Sequence, residues 1–185
     1  MVKTLFVKEK IKYTGKELRS HFAYDRFNLQ GDSLLAFCGE CEVTVQDLVD
    51  IADIKDNAPI YSEYMLHFIA EFFCGDLEMA ILKQRLLMAI IKDEISSLSG
   101  RSLVREGDDI YEGKAKLSVS IATSSPVSYM IHAGVNISSE GTPVETKGLY
   151  DYGIDEYTFA ESILDSFASE MAGARAARCK VRGVR

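Results

Sequence analysis

The sequence predicts an α+β domain, a mixed and largely antiparallel sheet packed by helices. Three observations carry this. Strand-like runs outnumber helical ones and follow one another as hairpins. One long stretch, Asp76–Leu98, holds a helical apolar stripe without a proline. The chain of 185 residues, 47% hydrophobic and 26% charged, can bury one sizeable core. Residues 1–172 are read as this single domain and residues 173–185 as a basic, flexible tail.

Residues 2–8, VKTLFVK, alternate in polarity and predict a strand. Thr14 and Glu17 have capping-box spacing, which predicts a helix from about Gly15 to Phe27 with Leu18 and Phe22 on one face. Ser33–Phe37 is a short apolar run, a buried strand that Gly39 should break. Thr44 and Asp47 repeat the capping spacing and predict a short helix through about Ile51. Asp50, Asp53 and Asp56 then cluster with Lys55, as a solvated acidic loop or, less simply, a metal site. Ile60–Phe73 fits either period, and its aromatic density favours a strand with His67 and Glu71 opposite Leu66, Phe68, Ala70 and Phe72.

Asp76–Leu98 carries Leu77, Ala80, Ile81, Leu87, Ile91, Ile95 and Leu98 at helical spacing, and Gly100 ends it. Ser102–Glu106 and Asp109–Tyr111 are short strands around Gly107. Ser139–Gly153 is rich in turn residues, with Gly141, Pro143, Gly148 and Gly153. Asp155 opens a terminal helix with Phe159, Ile163, Phe167 and Met171 on its apolar face.

The candidate site lies between Asp108 and Asn136. Lys116, Ser118 and Ser120 alternate with Leu117, Val119 and Ile121, so a strand sends the two sets to opposite faces. After the loop TSSPV, His132, Gly134 and Asn136 alternate with Ile131, Ala133, Val135 and Ile137. With Ala122 opposite Ser128, a hairpin sets Ser118 against His132, Lys116 against Gly134 and Lys114 against Asn136. All of these polar groups would then share one face. Serine and glycine leave room there for a ligand. Lys116 would meet a carboxylate, thioester carbonyl or phosphate, Asn136 would orient it, and His132 would relay a proton. The plainer alternative is an exposed strand lysine and a core histidine. Asp108 and Asp109 point opposite ways in a strand, so one of them would enter the pocket, to hold magnesium or a ribose hydroxyl. A charged turn is the equal alternative.

A net charge of -7 argues against a broad nucleic-acid surface, although Arg175, Arg178, Lys180, Arg182 and Arg185 crowd the last residues. No run approaches the roughly 18 apolar residues of a membrane span. Lysines interrupt the apolar residues of the N-terminus, unlike a signal peptide, so a cytoplasmic protein is expected. Cys38 and Cys41 form a Cys-x-x-Cys, but no second ligand pair of similar spacing follows. A redox pair is the alternative, and the preferred reading is a small apolar Cys38 at a strand end. The edge strands of an open sheet suggest a homodimer.

Asp108-Asp109-Ile110, Lys116-Leu117 and Gly134-Val135-Asn136 follow the long helix in order. This resembles the superfamily of biotin protein ligases, lipoate protein ligases and octanoyltransferases. Those ligases carry an Asn-Asp-(Ile/Leu) strand, a Lys-(Leu/Ile) strand and a Gly-x-Asn strand after a helix. The octanoyltransferases carry a Lys-Ile strand and a His-Gly-x-x-Leu-Asn run, which Lys116-Leu117 and His132–Asn136 approximate. Their nucleophilic cysteine lies in Pro-Cys-Gly-Ile, where this chain has Asp151-Tyr152-Gly153-Ile154. A tyrosine there would not form an acyl-thioester. The Gly/Arg-rich phosphate loop of the ligases is matched in place by the acidic Cys38–Val43. These motifs span residues 76–154. Over nearly the whole chain, Tyr13-Thr14-Gly15, Gly31-Asp32-Ser33, Gly107-Asp108-Asp109, the run KLSVSIATSSPVS and Gly141-Thr142-Pro143 resemble the family called Domain of Unknown Function 366.

The resemblance implies a biotin/lipoate ligase-like fold with a pocket for a small carboxylate, acyl group or acyl-adenylate. Lys116 and His132 would be catalytic, and Ser118, Ser120, Gly134, Asn136, Asp109 and Lys114 would bind the ligand. An acyl-carrier domain is the implied macromolecular partner, and the sequence names no cofactor. A non-catalytic ligand-binding module on the same scaffold is the alternative, followed by a Cys-based metal or redox protein.

Overall fold

The computed structural model describes residues 1–141 and 144–184. Thr142 and Pro143 of the expected turn, and Arg185 of the expected tail, lie outside them. The described residues form eight strands: β1 (Lys3–Val7), β2 (Ser33–Val43), β3 (Ile60–Phe72), β4 (Val104–Glu106), β5 (Asp109–Glu112), β6 (Ala115–Lys116), β7 (Ser118–Ser124) and β8 (Tyr129–Asn136). The helices are α1 (Phe22–Phe27), α2 (Ile51–Asp56), α3 (Leu77–Ser99) and α4 (Glu156–Lys180). The main sheet runs β1-β2-β3-β8-β7, and β4-β5-β6 form a small second sheet. β1 and β2 are parallel and the other neighbours antiparallel, as the α+β reading expects.

The main sheet is buried on both faces. On one side α3 and α4 bring Leu87, Ile91, Phe159 and Phe167 against Leu34, Phe68 and Ile131. On the other, Ile11, Tyr13, Leu18 and Phe22 cover Phe37, Met65 and Ile69. Double burial explains the ambiguity of β3. A central strand buried on both faces loses its alternation, so its apolar residues fit both periods. α3 follows its end signals closely, and Ala80, Leu87, Ile91 and Ile95 of the expected stripe are buried, whereas Leu77, Ile81 and Leu98 are exposed. The Asp76 carboxylate accepts from Met79 N–H at 2.7 Å, and Gly100 ends the helix in the left-handed region at φ 68°. Among the described residues no helix is long and apolar enough to cross a membrane.

Several local expectations change. Only half of the Thr14–Glu17 box forms: Thr14 N–H donates to Glu17 Oε2 at 2.7 Å, but the Thr14 hydroxyl also donates to that carboxylate at 3.1 Å, and no regular helix follows until Phe22. His21 stands at φ 62°, which interrupts any helix from Gly15, and its N–H donates to both oxygens of the buried Glu71. Gly39 does not end β2. A Cβ there would lie 1.9 Å from the Ile11 carbonyl oxygen, so the glycine admits a crossing chain while the strand continues past a register shift to Val43. Thr44–Asp47 gives only a 3-10 turn, and the supposed acidic loop is α2, capped by Asp50 accepting from Ala52 N–H at 2.7 Å. The terminal helix runs past residue 172 to Lys180. Its alanines favour helix, and Arg178 and Lys180 complement the C-terminal end of the helix dipole.

The largest correction concerns the β7–β8 register. Ser124 pairs with Tyr129, leaving a four-residue loop in which Ser125 Oγ accepts from Val127 and Ser128 N–H. Ser118 therefore faces Val135, and Ile121 faces His132. Compared with the expected pairing, the parity is reversed. Ser118 and Ser120 share a face with Ala133 and Val135 and look toward α3, while Val119 and Ile121 share the face of His132 and Gly134.

Candidate functional site

A cavity of about 430 Å³ opens at the β7 edge of the sheet. Its floor is the sheet face carrying Tyr13, Met65, Val119, Ile121 and His132. Residues 47–61, with α2 among them, form a second wall that brings Leu48, Asp53 and Ile60 to the cavity. The β5–β6 hairpin supplies the third, with Asp108, Asp109 and Lys116. Because β7 is an edge strand, a cavity around it meets side chains from both of its faces. Lys116, Ser118, Ser120, His132, Asn136 and Asp109 thus all line one space despite the reversed parity.

Lys116 is not a member of β7. It pairs with Tyr111 in the small sheet, and the chain steps between sheets at Leu117, whose N–H donates to the Ile110 carbonyl at 2.8 Å. Lys116 Nζ lies 2.7 Å from Asp109 Oδ2. Burial lowers the lysine, but the charge and hydrogen bond of Asp109 outweigh it, so its pKa ends above the ordinary value. Burial pushes Asp109 up, against the pull of Lys116. Asp109 Oδ1 is buried and has no hydrogen-bond partner among the described residues. Asp53 across the cavity is also pushed up, by burial and then by Asp50, with Lys116 opposing.

The other predicted residues have mostly structural partners. Ser118 Oγ accepts from Ile110 N–H at 2.9 Å. Ser120 Oγ accepts from Gln84 Nε2 at 2.7 Å and donates to the Asp108 carbonyl at 2.8 Å. Both hydroxyls therefore tie β5 and α3 to β7 instead of waiting for a ligand. Gly134 does not line the cavity; a Cβ there would lie 2.3 Å from Met65 Sδ, so its small size admits that methionine. Asn136 Nδ2 donates at 3.4 Å to the carbonyls of Lys116 and Lys147, bracing the step between sheets. Lys114 is exposed in the β5–β6 turn, away from the cavity, because Gly113 at φ 62° reverses the chain there. Asp108 lies 3.5 Å from Arg85 Nη1.

His132 is 3% exposed, and its Nε2 lies 3.1 Å from His67 Nδ1. Tyr13 stacks on it, with centroids 3.8 Å apart and planes 7° apart. Burial, and then the neighbouring His67, hold His132 far below its ordinary value, so it is neutral. A neutral imidazole in this pair does not act as an accessible acid. Tyr13, Asp53 and Met65 were missed as cavity residues. The acidic run around Asp53 was the visible signal for one of them.

Cys38 and Cys41 lie in the two different cores on opposite sides of the sheet, as an odd spacing in a strand requires. They are free thiols that do not converge, which removes the geometric basis of a Cys-x-x-Cys centre. Among the described residues no group of three metal-ligating side chains converges. Tyr152 lies outside the cavity and donates to Glu112 Oε2 at 3.1 Å.

A protein of Methanocaldococcus jannaschii, described as uncharacterised, is 42% identical over 158 residues, which cover 82% of this chain and 71% of that one. A protein of unknown function from Pyrococcus horikoshi superposes with a TM-score of 0.94 at 39% identity, over 100% of both chains. The biotin protein ligase of Aquifex aeolicus, solved with biotin and ATP, gives a TM-score of 0.61 at 14% identity over 90% of this chain and 69% of that one. A candidate lipoate protein ligase of T. acidophilum with bound lipoic acid also gives 0.61, at 12% identity over 93% and 86%. At that identity the likeness establishes the biotin/lipoate ligase fold alone. Residues 2–182 match the family described as a domain of unknown function (DUF366), and the chain belongs to that family.

Proposed function

We propose that the β7-edge cavity binds a small acyl-type ligand without forming a covalent acyl-enzyme. The ligand's apolar body lies on Met65, Val119 and Ile121, and its carbonyl or carboxylate meets Lys116. One observation carries this reading: a half-buried lysine, held by Asp109 at 2.7 Å, projects beside an apolar floor in a cavity of ligand size. The shared fold with proteins solved holding biotin and lipoic acid supports the ligand class.

The non-catalytic form of this reading is favoured over acyl transfer by the fate of the nucleophiles. Ser118 and Ser120 spend their hydroxyls on the scaffold. Tyr152 and both buried cysteines lie off the cavity. Native mass spectrometry of the purified chain tests the reading by identifying what it retains. Lys116→Ala should weaken that ligand by about tenfold or more, the loss of one charge-assisted hydrogen bond. Unchanged affinity would sink the proposal. Turnover of acyl-carrier or acyl-adenylate substrates would instead restore the acyltransferase reading.

A further inference from the structure

We infer that the ligand of this cavity carries an ammonium group beside its acyl group, so that the site selects amine-bearing acyl compounds over plain acids and adenylates. This deepens the proposed function and rests on it. Five aspartates, Asp47, Asp50, Asp53, Asp108 and Asp109, are among the described residues that line the cavity, with Lys116 as their one cationic neighbour in that lining; Asp108 is offset from behind by Arg85 at 3.5 Å, and Asp47 and Asp50 accept from the Thr44 hydroxyl and Ala52 N–H. That lysine is already committed to Asp109 Oδ2. Asp109 Oδ1 is left buried without a donor. The Asp53 carboxylate makes no hydrogen bond or ion pair with the described residues, and burial and then Asp50 push its pKa up, with Lys116 opposing.

The histidine on the floor supplies an independent observation. His132 is 3% exposed and lines the cavity, its Nε2 is taken by His67, and its Nδ1 has no partner among the described residues. Being neutral, it adds no positive charge to offset the carboxylates. A polyphosphate or adenylate entering here would meet like charge on both walls that flank the floor. A bare metal ion fits poorly too, because the carboxylates are spread around the wall and no three ligating groups converge among the described residues. An ammonium with three N–H donors on a short apolar chain matches both the acidic wall and the apolar floor.

The test is calorimetric titration of the full chain with ω-aminoalkanamides of four to six carbons, beside the matching alkanamides and alkanoates. The amine series should bind at least about tenfold tighter than the uncharged amides, and rising ionic strength should shrink that advantage. Asp53→Asn should remove most of the advantage while leaving alkanamide affinity unchanged; retained alkanamide binding also reports that the variant folds. Alkanamides or alkanoates binding as well as the amines would overturn the ammonium inference and leave the acyl reading standing. An amine advantage that ignores both salt and Asp53→Asn would overturn it as well. If no series binds and the purified chain retains no acyl compound, the proposed function itself fails.

Discussion

His67 Nδ1 and His132 Nε2 face each other at 3.1 Å inside the protein, with Tyr13 stacked on the His132 ring and Phe37 against His67. Two imidazoles cannot share one hydrogen bond if both are charged. Burial pulls His67 from 6.5 down to about 3, although the carbonyls of Gly39 and Glu40 pull the other way, and it holds His132 well below 6.5.

The sign of the pH effect follows. Below pH 6.5 the unfolded chain takes up protons that the folded pair refuses, so stability is complete above that value and is lost as pH falls toward about 3. Each imidazole contributes a slope of up to about 1.4 kcal/mol per pH unit in that window. Urea midpoints measured from neutral pH down to about pH 5 should fall steadily, and His132→Gln should flatten the fall. A midpoint independent of pH would show that the pair does not stay neutral.

The serines of β7 make a second prediction. Ser118 is 1% exposed and satisfies the Ile110 N–H. Ser118→Ala would leave that buried donor unmet and destabilise the fold by about 1–3 kcal/mol. Because the hydroxyl belongs to the scaffold, binding of the retained ligand should survive. A variant of unchanged stability that loses the ligand would return Ser118 to the binding set.

How much of this was legible in the sequence differs by residue. Asp76, Gly100 and the stripe through Leu87 and Ile91 set α3 by local rules, and those residues do in the fold what the rules say. Lys116 and Asp109 stood out as charges near small residues, and they meet at the cavity. The Ser118–His132 pairing failed for a physical reason: strand parity depends on loop length, and the Ser125 hydrogen bonds that fix a four-residue loop are tertiary detail. The α1 start failed likewise, because Glu71, 50 residues away in sequence, binds the His21 N–H. Tyr13 reaches His132 only through the chain crossing at Gly39, which no local pattern announces.

That crossing can be probed with two glycines. A Cβ on Gly39 meets the Ile11 carbonyl oxygen at 1.9 Å and its carbon at 2.6 Å, both backbone atoms. A Cβ on Gly134 meets Met65 Sδ at 2.3 Å, the flexible part of a side chain. Gly39→Ala should therefore cost about 3 kcal/mol or more, and Gly134→Ala about 1–3 kcal/mol, since a methionine can move aside and a strand cannot. Thermal denaturation of the two variants checks the order. The reverse ranking would mean that the β2 crossing is looser than its geometry implies.

The four cysteines give a prediction that separates packing from chemistry. Cys38 lies among the residues under α3 and α4, while Cys41 lies on the far side of the sheet with Tyr13 and Phe37. Burial pushes their thiols up, to about 11 for Cys38 and about 12 for Cys41, so at neutral pH neither presents the thiolate that reacts or binds metal. Cys74 and Cys179 are exposed. A thiol-specific disulfide reagent should therefore label two cysteines quickly in the native chain and the other two only after denaturation. Fast labelling at Cys38 or Cys41, or stoichiometric zinc lost in Cys38→Ser, would revive the Cys-x-x-Cys reading. It would require β2 to bring both thiols to one face, against the alternation that now separates them.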